Sequence, residues 1–132
     1  MIFADSSFWI AIYNRRDDQH ARAMALAKKY AAGPFVVTNH VRGETWTYLV
    51  RRTTHADAVE FLDGLERSPR IRLEFVSQGV EDEALRWLRR RDELEYSFVD
   101  ATSFALMRAL RIRDVLAFDQ DFAAAGFRLL TE

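Results

Sequence analysis

The sequence predicts an α/β fold in which a mainly parallel central sheet of about five strands is flanked by helices, and two patterns predict it. Short apolar runs recur between longer segments of helical periodicity, at Ile2–Ala4, Phe35–Thr38, Arg72–Phe75, Val115–Phe118 and Phe127–Leu130. These runs are too short and too apolar for an antiparallel meander with one wet face, and they read as strands buried on both sides. The helical segments between them supply matching apolar faces. Ala23, Leu26, Ala27 and Tyr30 share one; Val59, Leu62 and Leu65 share a second; Phe98, Ala101, Thr102, Ala105 and Ala109 share a third. Each face is expected to pack on the sheet. Gly33-Pro34, Ser68-Pro69 and Gly126 break the chain before the second, third and last strands, and Thr53 or Thr54 is an expected N-cap for the fourth helix. The first two connections have room for two helices each, where a minimal crossover needs one. No repeat or low-complexity linker interrupts the pattern.

Length and composition bound the function. A chain of 132 residues with 49% apolar content is expected to form one soluble domain, and it has no run long enough to span a membrane. The absence of cysteine excludes disulfides and thiolate metal ligands. Met1 leads directly into the first strand with no signal-peptide pattern, so a cytoplasmic location is expected. A formal net charge of -1 announces no nucleic-acid binder, and any such role must rest on local charge.

The acids are the informative residues. Asp5, Glu44, Asp100 and Asp119 each stand where a strand ends or in the opening turns of a helix. Ligands of doubly wound sheets bind beyond the carboxyl ends of the strands, where the strand order reverses. If the first and fourth strands are neighbours there, as right-handed crossovers in both directions allow, Asp5 and Asp119 face one crevice. Glu44 and Asp100 can point into the same crevice. Two carboxylates about 4 Å apart repel by about 4 kcal/mol at an effective dielectric of about 20, so such a cluster needs a cation. Oxygen ligands suit Mg²⁺ or Mn²⁺.

Each acid also has a local explanation. Asp100 completes an S-x-x-D capping box with Ser97, Glu44 offsets a helix dipole, and Asp119 caps the turn Gln120–Ala125. Asp5 resists this treatment, because an acid abutting a core strand is expensive unless paired or coordinated. The local explanations are strong singly and weak jointly.

Four landmarks stand in order along the chain: Ile2-Phe3-Ala4-Asp5-Ser6-Ser7, Val41-Arg42-Gly43-Glu44-Thr45, Ser97-Phe98-Val99-Asp100-Ala101, and Ala117-Phe118-Asp119-Gln120-Asp121-Phe122 followed by Gly126-Phe127. With them the chain resembles the PIN domain family, and within it the VapC toxin ribonucleases of bacterial toxin–antitoxin modules. The resemblance covers essentially the whole chain and implies a three-layer PIN-like fold over residues 1–132. It also implies a Mg²⁺-dependent endoribonuclease, Mn²⁺ being the other candidate ion, that acts as a homodimer and is neutralised by a cognate antitoxin. The family's acidic metal and catalytic site falls on Asp5, Glu44, Asp100 and Asp119, with Asp121 as an outer member. Asp5 and Asp100 are expected as direct ligands, Asp119 as a ligand of the same or a second ion, and Glu44 as a ligand through water or a positioning base. Gly43 departs from the larger residue expected there and weakens helix propensity beside Glu44.

Other side chains carry weaker expectations. Ser7 either caps the first helix or touches substrate, with capping favoured. Arg51 and Arg52 are expected to steer RNA toward the metal. The run Arg86-Trp87-Leu88-Arg89-Arg90-Arg91 has the composition of an RNA grip, yet it ends a helix that begins Glu81-Asp82-Glu83, as the helix dipole favours. His20, His40 and His55 lack metal-ligand spacing and are expected to be exposed or capping. Phe8, Trp9, Tyr13, Trp46 and Tyr48 are more rings than two short helices need, so some are expected at an interface. A haloacid-dehalogenase-type phosphatase would want a second aspartate where Ser7 stands, and a receiver domain would want a late lysine, whereas the lysines are Lys28 and Lys29. A non-catalytic RNA- or protein-binding scaffold of the same fold is the remaining alternative.

Overall fold

A computed structural model describes residues 1–90 and 95–132. The elements run β1 (Ile2–Ala4), α1 (Ser6–Tyr13), α2 (His20–Lys29), β2 (Phe35–Thr38), α3 (Asn39–Arg52), α4 (His55–Arg67) and β3 (Ile71–Glu74). They continue with α5 (Gln78–Arg90), α6 (Phe98–Ala109), β4 (Asp114–Leu116), α7 (Asp121–Ala124) and β5 (Arg128–Leu129). Every strand pair is parallel and the spatial order is β3-β2-β1-β4-β5. The order reverses between β1 and β4, which meets the condition set for Asp5 and Asp119 to face one crevice. Two helices fill each of the connections β1–β2, β2–β3 and β3–β4.

Strand bounds differ from the expected ones where the ladder lacks a partner. β3 ends at Glu74, opposite Thr38 of β2, so Phe75 leaves the sheet and is 65% exposed. The Arg42 guanidinium lies over its ring. β4 closes at Leu116, opposite Ala4, because the backbone beyond it turns aside and Phe118 N donates to a side chain of α1.

The sheet core is Phe3, Val36, Val37, Val115 and Leu116, all fully buried. Ala23 and Leu26 of α2 pack into it with Ala27 and Tyr30 at the margin. The buried face of α4 is Ala58, Phe61 and Leu65; Val59 and Leu62 are only half-buried, so the face is rotated from the expected one. In α6 everything from Asp100 to Met107 is buried, while Phe98 and Ala109 are exposed. Only the middle of this helix is covered by its neighbours, so its two ends escape the sheet-facing role expected of them.

For Phe8 and Trp9 the aromatic expectation needs correction. Phe8 and Trp9 are buried, not at a surface. Their helix is wedged among α2, α3 and α4, which cover two adjacent positions at once. Trp9 Nε1 donates to the Ala4 carbonyl at 3.2 Å, which satisfies its polar end. Tyr13 meets Phe61 edge-on, and Trp46 and Tyr48 are half-buried on α3. Thr54 caps α4 through the Asp57 amide, and Thr53 instead closes α3 by donating to the Leu49 carbonyl.

Phe104 stands at the centre of a ring cluster with Trp87, Tyr96, Phe122 and Phe127. Phe104→Ala is expected to destabilise the protein by about 3–5 kcal/mol, and Ala109→Ser by less than about 0.5 kcal/mol, in urea unfolding followed by circular dichroism.

Candidate active site

Asp5 is built into the end of the sheet. Its amide donates to the Leu116 carbonyl at 3.0 Å, which continues the β1–β4 ladder one residue past the strand. Its extended backbone (φ -82°, ψ 164°) makes it the N-cap of α1. Oδ2 accepts from the Ser7 amide at 3.2 Å and from the Ser7 hydroxyl at 2.9 Å. Oδ1 is buried and has no hydrogen-bond partner among the described residues. Burial, with the Asp100 charge adding to it against the Ser7 hydrogen bonds, pushes the Asp5 carboxyl up to about 7.

Ser7 therefore does not cap the helix, because Asp5 already does. Its hydroxyl accepts from the Phe118 amide at 3.0 Å and so ties Asp5 to the segment after β4. Ser6, which sequence reasoning passed over, donates to Glu44 Oε1 at 2.5 Å and links the first turn of α1 to α3. Its only sequence signal is a small polar residue directly after the capping acid. Glu44 lies in the second turn of α3, beyond the reach of the dipole explanation.

Asp100 makes the full capping box: its amide donates to Ser97 Oγ at 3.0 Å and its Oδ2 accepts from the Ser97 amide at 3.3 Å. The box explains the helix start but not the burial, and Asp100 is 9% exposed. Burial, then the charges of Asp119 and Glu44, raise its carboxyl to about 6 against the Ser97 bonds. Asp119 accepts from the Asp121 amide at 2.9 Å, which turns both acids to the same side. Burial and Asp119 raise Asp121 in turn.

Carboxylate oxygens of Asp100, Asp119 and Asp121 lie within 4.8 Å of one another. Asp5 and Glu44 stand outside that triplet but act on Asp100 or feel its charge. All the donors are oxygens, and the buried Oδ1 of Asp5 has no hydrogen-bond partner among the described residues. Such a set fits a hard divalent cation.

From Glu44 a groove of about 700 Å³ runs along α3 to Arg51 and Arg52, with Tyr48, Phe98 and Val99 among its walls. The Arg52 guanidinium sits over the Tyr48 ring. The second basic run differs from its RNA-grip reading. Trp87 is buried against Phe104, Arg86 and Arg90 pair with Glu83, and Arg91 lies outside the described residues. His20 is half-buried with Nδ1 at 2.6 Å from the Ala11 carbonyl, His40 stacks on Phe98, and His55 meets Trp46 edge-on.

The sequence profile of the PIN domain matches residues 2–128. The chain belongs to the PIN domain family. Over 129 residues, 96% of this chain and 95% of the other, it is 50% identical to a Mycobacterium tuberculosis protein (strain ATCC 25618 / H37Rv) described as 23S rRNA-specific endonuclease VapC20. A VapC ribonuclease of Archaeoglobus fulgidus is 27% identical over 123 residues, 90% of this chain and 77% of the other. The crystal structure of M. tuberculosis VapC20, described as a sarcin–ricin loop cleaving toxin, superposes with a TM-score of 0.94 at 45% identity and full coverage of both chains. The α/β architecture with its parallel five-stranded sheet is thus that of a PIN domain. No helix among the described residues is long and apolar enough to cross a membrane.

The raised carboxyl of Asp5 gives this PIN domain a stability profile with a definite sign. A folded-state value near 7 against an ordinary 3.8 means that the stabilising contribution of neutral Asp5 is full below pH 3.8 and is lost as pH rises through 7. The loss is on the order of 4 kcal/mol at 1.36 kcal/mol per pH unit. In EDTA the melting temperature should fall from pH 5 to pH 8.5, and Asp5→Asn should flatten the fall. A flat wild-type profile in EDTA would rule out an uncompensated buried carboxyl.

Proposed function

We propose that this PIN domain is a divalent-metal-dependent endoribonuclease, the toxin of a type II toxin–antitoxin pair, and that its substrate is 23S rRNA at the sarcin–ricin loop. The observation that carries the reading is the convergence of Asp100, Asp119 and Asp121 beside the buried Asp5 in a chain half identical to an rRNA-specific endonuclease. Mg²⁺ is the proposed ion, with Mn²⁺ its alternative, and Asp5, Asp100 and Asp119 its principal ligands, Asp121 joining them. A cognate antitoxin and a homodimeric, cytoplasmic toxin complete the proposal.

A bound Mg²⁺ supplies Lewis-acid polarisation of the phosphodiester and a water of lowered pKa. The protein supplies position. Ser7 holds one oxygen of Asp5 and leaves the other for coordination. The capping box fixes Asp100 at the first turn of α6. Ser6 takes Oε1 of Glu44, and Oε2 remains to accept a proton from the attacking water or to hold that water in line. Arg51 and Arg52 offset phosphate charge along the groove, and they make no ion pair among the described residues. No covalent nucleophile is required.

The test is cleavage of ribosomal RNA by purified, antitoxin-free protein. Cuts at discrete positions are expected with Mg²⁺ and none with EDTA. Asp100→Asn, which can keep its capping bonds, should lose more than about a hundredfold in rate, and Ser7→Ala, acting through Asp5, about ten- to a hundredfold. Intact rRNA after incubation with folded, Mg²⁺-replete wild type would sink the reading.

A further inference from the structure

Two residues of the groove beside Glu44, Gly43 and Phe98, lie outside the core packing. Gly43 sits in the second turn of α3, where glycine is a poor helix former. A Cβ built there meets nothing within 4 Å, so neither close packing nor a turn requires glycine. Phe98, the first residue of α6, is 42% exposed, and its ring is stacked on His40 with centroids 5.9 Å apart. Gly43, His40 and Phe98 all line the groove, together with Glu44 at the acidic end and Arg51 and Arg52 further along.

We propose that this groove is the subsite for one unpaired base of the RNA beside the bond to be cut, that the base stacks on Phe98, and that Gly43 is the specificity-determining residue that keeps the space open. The inference rests on the ribonuclease reading and names the form of RNA that the same site accepts. A base within a duplex has both faces covered by its neighbours, whereas an unpaired base in a loop offers a π-face to an aromatic side chain. The groove volume of about 700 Å³ lies within the range of about 300–1,000 Å³ usual for small-ligand sites. Charge favours a nucleotide over an apolar peptide, because the groove leads from Glu44 to two arginines that can meet the neighbouring phosphates. Asn39 adds an edge contact. Its Oδ1 is committed to the Val76 amide at 2.8 Å, which leaves Nδ2 to donate to an acceptor in the groove.

Gly43 can be separated from a merely structural residue. A leucine there would lie back over the preceding turn, across Asn39 and His40, which is the groove wall. It would also improve the helix. Loss of RNA binding with retained or raised thermal stability is therefore the signature of a filled subsite.

The experiment uses the full chain carrying Asp100→Asn, so that binding is read without cutting, and RNA hairpins whose loops carry 2-aminopurine at one position at a time. Fluorescence of one loop position should change on binding. Adding Phe98→Ala should abolish that change and weaken binding roughly ten- to a hundredfold, the worth of one base–aromatic stack. Adding Gly43→Leu should weaken binding similarly with an unchanged or higher melting temperature. Unchanged affinity and fluorescence in both variants would overturn the subsite. So would variants that still bind RNA fully but no longer bind an antitoxin, since the groove would then belong to a protein partner. If the wild type cuts no RNA and the fluorescence behaves as expected, the ribonuclease reading fails and the base subsite stands.

Discussion

The Ser7 hydroxyl donates to the Asp5 carboxylate and accepts from the Phe118 amide, and through these two bonds the end of β1 is fastened to the segment leaving β4. Parallel pairing of Ala4 with Leu116 brings those ends level, and the serine keeps them level for the residues that follow. Asp119 comes one residue after the fastened amide, and Asp121 follows through its own hydrogen bond to Asp119. The acidic site thus depends on a short chain of neutral hydrogen bonds that orient like charges and do nothing to neutralise them. Among the described residues none of these acids has an ion-pair partner, and the pairs that form lie elsewhere, such as Arg128 on Asp114 and Arg86 and Arg90 on Glu83.

The resulting imbalance separates this region from the rest of the molecule. Packing is completed by side chains that satisfy each other, such as the ring cluster around Phe104. The carboxylates are satisfied only in part, and the buried Oδ1 of Asp5 is the plainest case. A fold that held these groups for stability alone would have no reason to bury Asp5 beside Asp100, since each charge disfavours the other. A divalent cation would resolve the conflict by giving several oxygens one common partner.

Much of this was legible in the sequence because parallel α/β topology converts chain order into spatial order. Two short apolar runs followed by an acid were enough to expect Asp5 and Asp119 at one crevice on the condition that β1 lies beside β4, which it does. Periodicity failed where an element is covered on more than one side. It assigns one face to a helix, so Phe8 and Trp9, adjacent in a helix wedged among three others, looked like surplus surface rings. Trp87 misled for a related reason. Its arginine neighbours suggest a wet surface, yet the ring turns inward to Phe104. Asp121 came into view only through the family resemblance, as an outer member, and Ser6 was missed, because their positions come from turn geometry and from a bond between residues 38 apart, neither of which leaves a periodic trace.

The helices α5 and α6 meet through Ala84, Ala101 and Ala105, with Val80 and Leu88 at the edges. Such a seam sets the spacing of two helix axes by the size of a methyl group, and Ala101 is the residue next to Asp100. The height at which Asp100 stands over the crevice is therefore gauged by a helix that lines no part of the groove. Inherited changes along that seam would alter the enzyme without marking any residue of its site. A lineage could lose its cutting power while its acids, its serines and its groove all still read as intact.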